Sequence, residues 1–202
     1  MSQILSTVFA LLIGISVHEC SHALVAYLLG DPTAKKQGRV TLNPFKHLDP
    51  LGSLMILYAG LSGFGFGWGK PVPVNPYNFK RRELYELLTA LAGPASNFLI
   101  ALLLGLFFRF QAVDPQTFFG QFLIATIMLN IGLMVFNLIP IPPLDGSAIL
   151  GALFPKTWRS YQKQFQMYGG ILLLLIIFLG RGMLSRVLEP VFMFFLKIVV
   201  GA

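Results

Sequence analysis

The chain has 202 residues, 55% of them hydrophobic and only 11% charged, with a mean hydropathy of +0.73. Soluble domains carry about 25% charged residues, so the composition excludes a disordered chain, a coiled coil and an ordinary water-soluble enzyme. Several long uncharged runs exceed what so small a chain can bury within itself, and they require a bilayer as solvent. The net charge of +7 comes mostly from basic residues in short connectors. That placement fits an anionic cytoplasmic leaflet and gives no basic stripe for nucleic acid. The single Cys20 excludes an internal disulfide.

From Ile4 to Leu29 the only ionisable groups besides Cys20 and Tyr27 are His18, Glu19 and His22, and Gly30-Asp31-Pro32 stops the run. This is a retained membrane helix rather than a cleavable signal peptide. Arg39 to Pro44 alternates and reads as a strand or turn. Pro50 to Gly69 is uncharged but holds glycines at 52, 60, 63, 65, 67 and 69, which weaken a straight spanning helix and favour a re-entrant hairpin over the competing reading, a full crossing that would put four basic residues outside. Val72 to Pro76 resembles an edge strand. An apolar run from Leu87 to Phe108 is interrupted by Gly93-Pro94. A second, from Pro115, ends in a segment with prolines at 140, 142 and 143 that cannot be helical. Backbone freed there must line a cavity or meet protein partners. Further apolar stretches run to Gly180 and from Val191 to Val200.

The connectors 31–49, 70–86, 109–114 and 155–163 hold four, four, one and three Lys or Arg. With a re-entrant 50–69, the three basic connectors share one face, read as cytoplasmic. The expected fold is therefore an all-α polytopic membrane protein of the cell membrane. It comprises a three-helix catalytic core, a Gly-rich hairpin with short membrane-associated strands, and C-terminal helices. One domain covers 1–202, with its core over about 4–152 and a C-terminal segment over 156–202.

His18-Glu19-Cys20-Ser21-His22 matches H-E-x-x-H. Residues i and i+4 share a helix face, so the two imidazoles can converge on one metal. Glu19 lies on the flank of that face, placed for general-base work rather than ligation. Ionisable groups at membrane depth are costly and usually functional, which argues against two merely hydrogen-bonded histidines. An open zinc site takes a third protein ligand. Asp145 alone among the Asp residues ends a long apolar run in a proline-broken segment, and His47 is its rival. Cys20 and Ser21 read as packing residues. Asn130 and Asn137, seven apart, share a face suited to interhelical hydrogen bonds.

The HECSH helix, Gly93-Pro94-Ala95-Ser96-Asn97 and the N-x-x-P-x-P-P-L-D-G segment from Asn137 to Gly146 resemble, in this order, the site-2 protease family of intramembrane zinc metalloproteases. The resemblance covers residues 8 to 152. It implies one zinc ion per chain held by His18, His22 and Asp145, with Glu19 activating water and Asn97 and Asn137 positioning substrate backbone or the oxyanion. It also implies strands between the first two core helices, to whose edge an unwound transmembrane substrate adds. By the same resemblance the chain is expected to be a compact form, without the PDZ or CBS domain of larger relatives and without a helix before the HECSH span. The reading from residues alone leaves two alternatives open, a membrane protein that binds or transports metal without cleaving any bond, and a pure scaffold.

Overall fold

The computed structural model describes residues 2–62 and 67–201. In chain order its helices are α1 (Ser2–Leu28), α2 (Thr33–Lys36), α3 (Pro50–Ser62), α4 (Arg82–Arg109), α5 (Phe118–Asn137), α6 (Asp145–Leu153), α7 (Pro155–Leu179) and α8 (Arg181–Val200). Three stretches are long and apolar enough to cross a membrane: Ser6–Leu28 of α1, α4 and α5. Gln164–Leu179 and Gly182–Val200 qualify only as a pair, bent by 93°.

Side-chain size decides how the three long helices meet. In α1, Ser6, Ala10, Gly14, His18, His22 and Ala26 recur every four residues and are all buried. In α4, Gly93, Asn97, Ala101 and Gly105 do the same. Small rows let backbones approach closely where lipid supplies no hydrophobic drive. The large side chains of α4 face away, with Leu99, Leu103 and Phe107 each about half exposed. α1, α4 and α5 pack against one another, α6 lies on α4, and α8 lies on both α4 and α5. The main apolar core, Ala101, Ile127, Ile131, Met134, Val135 and Val199, forms where α4, α5 and α8 meet.

Two expectations need correction. Among the described residues there is no strand over 39–44 or 72–76, only one antiparallel bridge between Leu48 and Gly69. Both segments instead lead into short 3-10 turns, Pro44–Lys46 and Pro76–Asn78. The side chains of Asn43 and Asn75 take the backbone N–H groups of Phe45 and Tyr77 at 3.1 and 3.2 Å. Such local side-chain bonds compete with a sheet ladder, and prolines at 71, 73 and 76 offer no donor to one. Likewise, Gly93-Pro94 does not interrupt α4, which runs through Pro94. Membrane helices tolerate this because neighbouring helices satisfy the freed backbone. The first part of the Gly-rich segment is helical as α3, opened by Asp49, whose Oδ1 accepts from Gly52 N–H at 2.8 Å. The turn expected of the hairpin, residues 63–66, lies outside the described residues.

Candidate metal centre

His18 and His22 stand one turn apart on the buried row of α1, and Asp145 opens α6. The two Nε2 atoms are 3.0 Å apart, and they lie 3.1 and 3.3 Å from Asp145 Oδ2. Among the described residues this trio is the only cluster of three or more His, Cys, Asp or Glu whose ligand atoms are close enough to share an ion. Asp145 reaches it because the proline-broken segment folds back over the start of α6. A Cβ on Gly146 would lie 2.2 Å from the Leu138 carbonyl oxygen, so only glycine admits that approach.

The rings are held from behind. His22 Nδ1 is 2.6 Å from the Thr89 carbonyl oxygen, which can only accept. The proton therefore sits on Nδ1 and leaves the Nε2 lone pair for the trio. His18 Nδ1 is 2.5 Å from Asn97 Oδ1. Asp145 Oδ2 is buried with no hydrogen-bond partner. Buried polar atoms are nearly always satisfied. An orphaned carboxylate oxygen facing two imidazole nitrogens is a donor set for a cation, and two His with one carboxylate is a common open zinc set.

α4 forms the floor of this pocket. A Cβ on Gly93 would come within 2.2 Å of His22 Nε2 and 2.6 Å of His18 Nε2. Glycine there lets the α4 backbone lie against both imidazoles. The imidazole side chains are 7% and 9% exposed, against 14% for Glu19 and 21% for Asp145, so the cluster is most open on its carboxylate side.

Arg39 stands behind Glu19. Its guanidinium is buried, with Nη2 3.9 Å from Glu19 Oε2, and it donates to the carbonyls of Lys70 and Pro71, the latter at 3.1 Å. His47 is fully buried but outside the trio: its Nε2 lies 2.7 Å from the Thr41 carbonyl, and its Nδ1 lies 3.5 Å from Arg39. Burial holds the His47 imidazole below its usual pKa, and Arg39 adds to this against the opposing bond to Thr41. The structure thus brings Asp145, and not its rival His47, to the imidazoles.

Asn97 is also differently employed from the expectation. It is fully buried, and its Nδ2 donates to the Gly14 carbonyl at 3.1 Å and to Asn130 Oδ1 at 2.8 Å. Both N–H bonds are consumed inside the protein, so none is left for an oxyanion. Asn137 is half-buried at the end of α5 and donates to the Leu133 carbonyl of its own helix at 2.9 Å, whereas Asn130 makes the interhelical bond. Sequence reasoning missed Arg39 and Thr89. No local pattern marks Arg39, and Thr89 acts through its backbone, for which side-chain identity gives no signal.

The family model described as peptidase family M50 matches residues 113–178, covering α5, Asp145 and much of α7. A Bacillus subtilis protein named "Putative zinc metalloprotease YwhC" is 42% identical over 190 residues, 91% of this chain and 84% of its own. Proteins with the same description and the name Rip2 are 33% identical. The one from Mycolicibacterium smegmatis aligns over 91% of this chain and 70% of its own, and that from Mycobacterium tuberculosis strain H37Rv over 84% and 64%. No solved structure matches. The family model leaves out the HECSH helix, and the alternative of a metal carrier is not favoured. With three helices fit to cross a membrane, this multi-pass chain belongs to peptidase family M50, the site-2 protease family of intramembrane metalloproteases.

Proposed function

We propose that the chain hydrolyses peptide bonds within or near transmembrane segments of other membrane proteins, with His18, His22 and Asp145 holding one zinc ion and Glu19 as the general base. The observation that carries this reading is the convergence of two Nε2 atoms on an otherwise unpartnered Asp145 Oδ2, with Glu19 next in sequence to a ligand. A zinc ion held by His18, His22 and Asp145 would supply Lewis acidity, lowering the pKa of water and polarising a carbonyl. Glu19 takes the proton from the attacking water and passes it to the leaving amine. Arg39 fixes the Glu19 side of the pocket against the backbone of 70–71. Asn97 is assigned to His18 rather than to substrate, and Asn137, beside the proline-broken segment, to positioning the substrate backbone.

In this reading one domain covers 1–202, with α1, α4 and α5 as the catalytic core and the helices from 156 onward packed on it. The segment that leaves at α3 and comes back at residues 67–69 is re-entrant. The bridge between Leu48 and Gly69, with Lys70 N–H donating to the His47 carbonyl at 2.7 Å, supports this because the chain returns to where it left. Connectors 31–49 and 70–86 then share one side, supported by the bonds of Asp31 to Asn75 and Asn78. With connector 155–163 they face the cytoplasm of a cell membrane, by the positive-inside rule.

The test is Glu19→Gln in purified protein, assayed on a helical membrane peptide with metal content measured in parallel. Zinc is retained and cleavage is lost. Undiminished proteolysis by the variant, with contaminating proteases excluded, rejects the role of Glu19, and cleavage that survives zinc chelation rejects the whole mechanism.

A further inference from the structure

A buried chain of amides runs behind His18, and its direction can be read from its fixed ends. Asn130 Nδ2 donates to the Thr126 carbonyl at 2.8 Å. A carbonyl only accepts, so the Asn130 amide is oriented with Oδ1 toward Asn97. Asn97 Nδ2 then donates to Asn130 Oδ1 at 2.8 Å and to a second fixed acceptor, the Gly14 carbonyl, at 3.1 Å. Asn97 Oδ1 is left facing His18 Nδ1 at 2.5 Å. Both asparagines are fully buried, so no water can substitute for any link.

We infer that Asn130, acting through Asn97, is a positioning residue that sets the tautomer and ring orientation of His18, keeping the proton on Nδ1 and the Nε2 lone pair turned to the Asp145 carboxylate. His22 obtains the same result from one contact with the Thr89 carbonyl. The two ligands of α1 are therefore oriented by different means, one through the α4 backbone and one through side chains of α4 and α5. If the Asn97 amide were reversed, its NH2 would face Nδ1, the proton would move to Nε2, and the nitrogen meant for a metal would be blocked. The reversal also sets Oδ1 against the Gly14 carbonyl or Asn130 Oδ1.

The inference rests on the zinc reading for its consequence, but the tautomer can be observed without metal. In full-length, 15N-histidine-labelled protein in detergent micelles, free of metal, His18 shows an exchange-protected Nδ1–H resonance. That resonance is lost in Asn97→Leu and weakened in Asn130→Leu, while the Nδ1–H of His22 stays. Competition with a chelator then gives a zinc dissociation constant raised about 10- to 100-fold in Asn97→Leu, the usual cost of removing an outer partner of a metal-bound His. Asn130→Asp, whose neutral carboxyl can accept from Asn97 and donate to Thr126, restores both readouts. A wild-type His18 without a protected Nδ1–H, or Asn97→Leu and Asn130→Leu variants with unchanged resonance and zinc affinity, overturns the relay. If Asn97→Leu does not fold, the wild-type resonance and the contrast between Asn130→Leu and Asn130→Asp decide the matter. Absence of zinc binding by the wild type would defeat the proposed function, yet the Nδ1–H observation would still stand or fall on its own.

Discussion

Replacing Gly93 by alanine puts a methyl carbon against both imidazoles from the α4 side. It would lie 2.2 Å from His22 Nε2 and 2.6 Å from His18 Nε2, where ordinary contact begins at 3.4 Å. The rings must retreat by about 1 Å, several times the roughly 0.2 Å tolerance of a metal–ligand bond. Without metal only the Nδ1 bonds to the Thr89 carbonyl and Asn97 resist a small shift; with three donors also fixed on one ion the rings have still less freedom to yield. The overpacking cost of about 1–3 kcal/mol therefore falls on the bound state, weakening zinc roughly 5- to 150-fold. The assay is competition with a chromophoric chelator on purified protein in micelles, with thermal unfolding of the metal-free form as a check on the fold. Gly132→Ala in α5 is the control, since a Cβ there meets nothing within 4 Å. A folded Gly93→Ala protein that binds zinc as tightly as wild type would refute the reasoning, because the closeness of α4 would then have no bearing on metal.

Metal analysis separates the two candidate third ligands: Asp145→Ala and His22→Ala lose zinc, whereas His47→Ala keeps one ion per chain. Zinc retained in Asp145→Ala but lost in His47→Ala would reverse the assignment. Asp31 governs acid stability at the connectors. Burial pushes its carboxyl up, but hydrogen bonds from Thr33, Asn75 and Asn78 outweigh this and hold it below its usual pKa. Its contribution is complete above the unfolded value of about 3.9 and is lost as pH falls through the folded one. Asp31→Asn costs about 1.5–3 kcal/mol at neutral pH, and its melting point approaches that of wild type in acid. Equal melting points at neutral pH would remove Asp31 from this role.

Much of this protein is local information. The 3.6-residue period alone puts His18 and His22 on one face with Glu19 at its flank. Uncharged runs alone give α1, α4 and α5, because no other solvent suits them. The three prolines before Asp145 mark a break because they lack donors and fix φ. What depends on side-chain and backbone contacts between distant segments was not legible. Asn43 and Asn75 capture nearby N–H groups and turn expected strands into 3-10 turns. Pro94 leaves α4 unbroken, as membrane helices tolerate an internal proline. His47 lies between Lys46 and Leu48 and Asp145 between Leu144 and Gly146, and neither setting by itself ranks one above the other as a ligand. Only the return of the proline-broken segment over Gly146 carries Asp145 to the imidazoles, while Arg39 and Thr41 hold His47 away. The sequence alone thus determined which side chains offer donors and a carboxylate at helical spacing, since that follows from residue type and periodicity. Tertiary structure decided which of them meet and how each ring is turned, since hydrogen-bond direction is settled only where separate helices come into contact.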